Sequence, residues 1–348
     1  MQLHPMPAVC VGSHQQRTRV GLDHWIDGTF GIIRREGATI AIAPNGRSLS
    51  RHDLRRGFLD GLTELAGGIG GIDPLADHAS GGPIWTDETT GACVLVYHGE
   101  RFHGGDPHRF WSYLGLAVTF DLGNTFRDIG PVITVTRQDD DEQPPPIEIG
   151  SGGFTIRGDD MWLYFQDRRH AEIRINLAVA RAPLDSIRSA AIGGPPPTFT
   201  KYRNGAFSEP GIGGAATDLL AGTSHPVMWY DVAEIHGSTV AAFSTVTKSD
   251  DGVWRWNHAT ATAADGLGFG PATLLYPHSF DEELLYLTID SGSTDQRRIE
   301  HDWFHLYRLR GRSGDRWANA DLERVTVRVS DRSGSREPTS APAPANGA

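Results

Sequence analysis

The chain has 348 residues, including 42 Gly, 21 Pro and 9 Trp, and a formal net charge of −11. A chain this long buries a substantial core without disulfides or metals, and Cys10 and Cys93 lie far apart with no metal-ligand spacing, so they read as free thiols. No Lys/Arg run supplies the concentrated basic face that a phosphate backbone needs, and no stretch of about 18 apolar residues is present to span a membrane, so neither nucleic acid nor membrane is an expected partner.

Residues 1–19 read as a polar, irregular segment. The opening MQLHPMPAVCVGSHQQRTRV has only a short apolar run with no basic region before it. It does not read as a secretory signal, and the expected location is cytoplasmic.

From residue 20 to about 330 one unit recurs. It is a Gly/Pro/His-containing entry, a strand, a polar turn and a second aromatic or β-branched strand. The copies are DGTFGIIRREGATIAIAPNG from Asp27, GGPIWTDETTGACVLVYHG from Gly81, GSGGFTIRGDDMWLYFQD from Gly150, HPVMWYDVAEIHGSTVAAFST from His225 and HSFDEELLYLTID from His278. Entries at 27, 81, 151, 225 and 278 are spaced by 54, 70, 74 and 53 residues. Third strands follow as LGLAVTFD from Leu114, INLAVARAP from Ile175 and WRWNHATATA from Trp254. Three or four strands per unit is the content of a propeller blade, and the length fits five blades. The expected fold is an all-β, five-bladed β-propeller with a central-channel pocket. The last strands, from Asp302 and Glu323, should meet the other chain end and close the ring, leaving no open edges.

One helical insertion is expected between Ser50 and Gly68, where Leu54, Phe58, Leu62 and Leu65 fall on one helix face. The tail, residues 331–348, is rich in Ser, Pro and Ala without apolar periodicity and reads as disordered. Thr119-Phe120-Asp121-Leu122-Gly123-Asn124-Thr125-Phe126 matches the Asp-box pattern S/T-x-D-x-G-x-T-W/F. There Asp121 can accept backbone N–H bonds, Gly123 permits positive φ and Phe126 plugs between strands, so it is a folding device.

The blade entries, with GLAVTFDLGNTFRDIGPVI and NLAVARAP, resemble the five-bladed propeller glycosidases, meaning glycoside hydrolase family 43 and its relatives. The likeness spans about residues 20–310 and is one of repeat style. It implies an Asp opening blade 1 as general base, an Asp opening blade 3 that tunes it, and a Glu opening blade 4 as general acid. Asp27 in WIDGTF matches the base, with Asp23 in GLDHW as fallback. The blade 3 position holds Ser151, and the blade 4 position holds Ser224 or His225. Two of three carboxylates are therefore replaced, whereas inverting hydrolysis uses a facing pair.

Histidines crowd the entries instead: His24, His78, His225 and His278. They can act as acid and base near neutral pH or hold a channel metal ion; no other cofactor is implied. Glu209, in the Gly/Pro-rich stretch after blade 3, is a second candidate acid beside His225. Asp73, Asp77, Ser151 and Asp231 are candidate substrate contacts, and Trp25, Trp85 and Trp229 can stack on a flat ligand or fill the core. The expected partner is a small-molecule substrate, and the sequence does not fix an oligomeric state. Three readings stay open: a glycosidase-like hydrolase using acid/base chemistry; an intracellular cyclase, isomerase or lyase of specialised metabolism; and a non-catalytic binding propeller.

Overall fold

The computed structural model describes residues 1–22, 25–45, 49–64, 77–135, 148–168, 174–223, 227–248, 252–276, 282–294, 297–312 and 319–330. Five separate sheets, built of antiparallel neighbours, stand radially as the blades of a propeller. Blade I runs Gly31–Arg35, Ala38–Pro44, Leu49–Asp53 and Leu62–Glu64. In blade II, His78–Ser80 and Ile84–Thr86 both pair with Cys93–His103, followed by Asp106–Thr119 and Arg127–Ile133. Blade III holds Glu148–Arg157, Asp160–Arg168, Arg174–Pro183, Thr200–Arg203 and Ala206–Pro210. Blade IV holds Met228–Ile235, Ser238–Lys248, Trp254–Ala263 and Thr273–Leu274, and Arg298–Ile299 adds a parallel pairing to its inner strand. Blade V holds Glu282–Asp290, Trp303–Arg312 and Asp321–Ser330.

The N-terminus completes blade V. Gln2–Pro5 pairs with Ser330 back to Val327, and Val9–Gly12 with Arg324 to Leu322. Residues 1–19 thus differ from the irregular segment read from sequence. Their order comes from a partner strand more than 300 residues away, which no local pattern announces. A short helix, His14–Arg19, follows, with Ser13 as its N-cap in a reciprocal pairing with Gln16.

Each pair of neighbouring blades encloses its own core. Ile33, Ile42, Leu95 and Tyr113 pack between I and II; Val96, Leu116, Phe154 and Leu163 between II and III. Tyr164, Val179, Val232 and Phe243 fill the III–IV gap, Ile235, Val240, Leu306 and Val325 the IV–V gap, and Phe30, Ile32, Tyr307 and Leu322 the V–I gap. Strands apolar on both faces follow from this geometry, because each blade is sandwiched by two others. At about 25 cal/mol per Å² of apolar surface removed from water, these five cores dominate the driving force for folding.

The helix expected between Ser50 and Gly68 is replaced by the hairpin of Leu49–Asp53 and Leu62–Glu64. Leu54, Phe58 and Leu62 do face one core, the V–I layer. A turn rather than a helix brings them there: Gly57 sits at φ +97, and Gly61 approaches the Asp53 backbone so closely that a Cβ would collide. Leu65 lies outside the described residues. The second helix, Leu184–Ala191, buries Leu184, Ile187 and Ala191 on the II–III core. Between Thr119 and Phe126, Asp121 accepts from Thr125 N at 2.9 Å, Thr125 Oγ1 at 2.7 Å and Thr119 Oγ1 at 2.8 Å. These donors hold its carboxyl below the usual range against the raising effect of its partial burial. The tail, residues 331–348, lies outside the described residues.

Candidate active site

The inner strands of three blades break register at one level. Glu148–Arg157 slips between Gly150 and Gly153, Met228–Ile235 between Met228 and Asp231, and Glu282–Asp290 between Leu285 and Leu287. A residue in the left-handed region sits at each bulge: Ser151 (φ 53), Trp229 (φ 47) and Tyr286 (φ 38). Such backbone costs on the order of 1–3 kcal/mol per non-glycine residue and persists only where the surroundings impose it. All three side chains line one channel cavity of about 180 Å³. Blade II interrupts its inner edge there with Gly81 and Gly82, and blade I contributes Asp27, Gly28 and Thr29.

Asp27 is fixed from two sides. Its N–H donates to Pro44 O at 3.2 Å, while Thr29 Oγ1 reaches Tyr230 O and Leu287 O, both at 3.2 Å, pinning the segment to blades IV and V. The Tyr286 hydroxyl donates to Asp27 Oδ1 at 2.5 Å. Burial, then the charge of Asp27 and its hydrogen bond, then Glu148 and Glu100, push the Tyr286 hydroxyl well above the ordinary tyrosine pKa. It therefore stays a phenol and acts as a donor to Asp27.

Cys93–His103 brings His98 and Glu100 to the same wall, one strand face apart by two residues. His98 Nε2 lies 3.1 Å from Glu100 Oε1, and the His98 side chain is 17% exposed. Burial alone would lower the His98 pKa; the Glu100 hydrogen bond and the charges of Glu100, Glu148 and Asp27 outweigh it and hold the imidazole above its ordinary value. Its Nδ1 is buried and has no hydrogen-bond partner among the described residues. Glu148 Oε2 accepts from Arg168 at 3.0 Å. Trp229 packs at a tilt against Tyr286, 4.6 Å between ring centroids, and against Trp256 at 4.7 Å, making one wall aromatic.

Of the residues singled out from sequence, Asp27, His78, Ser151 and Trp229 line this pocket. Asp23, His24, Asp73, His225 and His278 lie outside the described residues. Asp77 is exposed and accepts from Phe102 N at 2.7 Å. Glu209 is not in a pocket-facing loop: it sits on Ala206–Pro210, the outermost strand of blade III, 3.7 Å from Arg203. Trp25 is a core plug whose indole Nε1 donates to Ala320 O at 2.5 Å. Trp85 lines a different cavity, at the far end of the channel. Asp231 is fully buried in an ion pair with Arg297 at 2.5 Å and accepts from Val232 N and Ile289 N, both at 2.8 Å. Among the described residues, no group of three or more His, Cys, Asp or Glu is placed to hold a metal ion.

Sequence reasoning missed His98, Glu100, Glu148 and Tyr286. The second copy ends at YHG and so contains His98 without marking it; its strand continues to His103 and carries Glu100 on the same face as His98. Glu148 stands three residues before Ser151, on a strand whose bulge offsets the entry register. Tyr286 shows no signal of its own, because the bulge that turns it inward is a backbone feature.

No protein-family model matches the sequence, and no curated protein matches it. Solved structures do match over most of the chain. The α-L-arabinanase of Cellvibrio cellulosa complexed with arabinohexaose is 12% identical, with 87% of this chain and 92% of that chain covered at a TM-score of 0.53. The catalytic domain of the GH62 α-L-arabinofuranosidase of Coprinopsis cinerea is 10% identical, covering 94% and 96% at 0.52. The α-L-arabinofuranosidase of Podospora anserina in complex with cellotriose is 12% identical, covering 94% and 96% at 0.52. At such identities the likeness is one of fold: the chain is a five-bladed propeller of the architecture that these GH43- and GH62-type proteins share.

Proposed function

We propose that the channel pocket hydrolyses a small glycoside by acid/base catalysis, with Asp27 as base and His98 as acid. The observation that carries this reading is the pairing of a carboxyl group and an imidazole on one cavity. Asp27, which accepts from the Tyr286 phenol, and His98, whose pKa is raised by its acidic neighbours, line the same cavity. Asp27 would take a proton from water as the oxygen attacks the anomeric carbon. His98, which lines the cavity, would protonate the leaving oxygen as the glycosidic C–O bond breaks. Solvent then returns both groups to their starting states. Glycosidases ordinarily give the acid role to a carboxyl group; an imidazolium above its ordinary pKa supplies the same proton near neutral pH. Glu100 is the orienting partner on Nε2, and Trp229 the stacking wall.

The test is turnover of aryl glycosides of pentoses and hexoses. Asp27→Asn and His98→Gln should each lower kcat/KM by about 10²–10⁴ with folding intact. Full activity in both variants would sink the assignment. A second reading, cyclisation, isomerisation or elimination on a non-sugar substrate, draws support from the same imidazole, which suits proton shuttling at neutral pH. It predicts product formed without uptake of oxygen from labelled water.

A further inference from the structure

The aromatic wall of the pocket continues outward along blade IV. Trp229, turned by its left-handed bulge, meets Trp256 at 4.7 Å and 43°. Trp254–Ala263 pairs with Ser238–Lys248 without a register shift along its whole length. Trp254 and Trp256 therefore share a face, about 7 Å apart at the usual strand rise, with Arg255 on the other. Trp256 is half-buried against the V–I core, while Trp254 at the strand end is 59% exposed. A single exposed indole needs no explanation. Here Trp229 lines the pocket and touches Trp256, and Trp254 follows two residues away on the same strand face, so the three indoles run in one line, a track leading outward from the pocket.

The pocket volume sets what the track is for. Pockets that enclose a whole drug-sized ligand run to roughly 300–1,000 Å³, and this one holds about 180 Å³. It takes one ring. Resting on the glycoside reading above, we propose that the substrate has at least two rings, and that the ring beyond the cleaved bond lies with its apolar face on Trp256 and Trp254. Neutral indoles select a flat, apolar face, whether of an aryl group or of a second sugar. They do not select charge.

The experiment compares methyl glycosides, 4-nitrophenyl glycosides and disaccharides that share one glycone, for a panel of pentoses and hexoses, by calorimetric titration. The two-ring probes should bind more tightly than their methyl counterpart. Trp254→Ala should shrink that preference about 2- to 12-fold, the worth of one aromatic contact, and Trp254→Phe should restore part of it. The preference of Trp256→Ala, read with its melting temperature, should fall likewise. The disaccharide and aryl arms identify which ring the track takes. Two-ring probes binding no more tightly than methyl glycosides, or not binding at all, overturn the proposal, as does a preference untouched in Trp254→Ala. The two failures separate cleanly. If Asp27→Asn keeps full turnover while the preference follows Trp254, only the catalytic assignment falls. If turnover depends on Asp27 and the preference ignores Trp254, only the track falls.

Discussion

The two ends of the channel use charge in opposite ways. The far end holds the larger cavity, about 810 Å³, lined by Arg34, Arg35, Arg188, Arg297 and Arg298. Each of these cations is matched: Arg34 with Asp290 at 2.7 Å, Arg35 with Glu36 at 3.0 Å, Arg188 with Asp87 at 3.1 Å, Arg297 with Asp231 at 2.5 Å and Arg298 with Glu234 at 3.4 Å. Two of the pairs cross between blades: Arg34 of blade I to Asp290 of blade V, and Arg188, on the helix after blade III's third strand, to Asp87 of blade II. At the smaller end Asp27 is met by a neutral phenol, Nδ1 of His98 is unpaired among the described residues, and three bulges hold strained backbone. Charge spent on internal pairs ties the ring together; charge left over, at a cost in strain, is available for a substrate. The proposed reaction is placed in the smaller cavity, not the larger.

The largest expected effect breaks the comparison if it fails. Asp27→Asn and His98→Gln should each lower turnover by about 10²–10⁴, whereas Arg298→Gln at the far end should leave it where it was. The Arg298 side chain is 52% exposed, and an exposed pair contributes about 0–1 kcal/mol. Steady-state kinetics on the three variants decides it. Equal losses at both ends would mean that the far cavity takes part in the reaction.

Next in size is the buried pair at the far end. Burial raises the Asp231 carboxyl pKa, and Arg297, the Ile289 N–H and the Val232 N–H pull it back only in part. Arg297→Met strands that carboxyl among blades IV and V and should destabilise the fold by about 3–5 kcal/mol in urea unfolding. Turnover per folded molecule should be retained. Asp231→Asn together with Arg297→Met should recover part of the loss, since the uncompensated charge is then gone.

The blade number, the closure between chain ends and the position of Asp27 were legible in sequence because they rest on repeated pattern: a hairpin of period-2 strands behind a Gly/Pro entry. What failed was whatever depends on distant or backbone geometry. Leu54, Phe58 and Leu62 were spaced as on a helix, yet Gly57 and Gly61 fold them into a hairpin on the same core. Residues 2–12 looked unstructured because their hydrogen bonds are made by residues 322–330. Glu209 stands in a Gly/Pro-rich stretch that reads as a loop, but it pairs as the fifth, outermost strand of blade III. Glu100 escaped because an eleven-residue strand outruns the repeat, and His98, the penultimate residue of the quoted copy, because it does not stand at a blade entry.

A smaller, purely steric effect sharpens the picture of the pocket wall. In blade II, Gly99 stands opposite Tyr113 and Gly115 opposite Tyr97, each ring lying over the glycine so that a Cβ would strike it. Tyr97, whose hydroxyl donates to Asp128 at 2.9 Å, directly precedes His98. Gly115→Ala should cost about 1–3 kcal/mol through overpacking and should lower turnover by shifting the strand that carries His98. A thermal melt and a kinetic assay read the two effects. Unchanged stability would mean that Tyr97 can swing aside, and activity would then be unchanged too.

The subtlest expectation is a pH shift, and its sign follows from His98. Against burial, Glu100 and then Glu148 and Asp27 raise its pKa above the ordinary histidine value in the folded chain. The protonated form is therefore favoured by folding. Its contribution to stability is complete below the unfolded histidine pKa, and it disappears as pH rises through the folded value. Turnover that needs the imidazolium should fall across the same pH window. Glu100→Gln removes the strongest of the raising influences, so that fall should move to lower pH. Glu148→Gln should move it in the same direction and by less, because Glu148 acts only through its charge and is already paired with Arg168 at 3.0 Å. The kcat–pH profile gives the kinetic position, and the ring-proton resonance of His98 gives the titration itself. If the resonance moves in Glu100→Gln while the kinetic limb stays, the proton that limits turnover belongs to another group, and His98 is left as part of the wall.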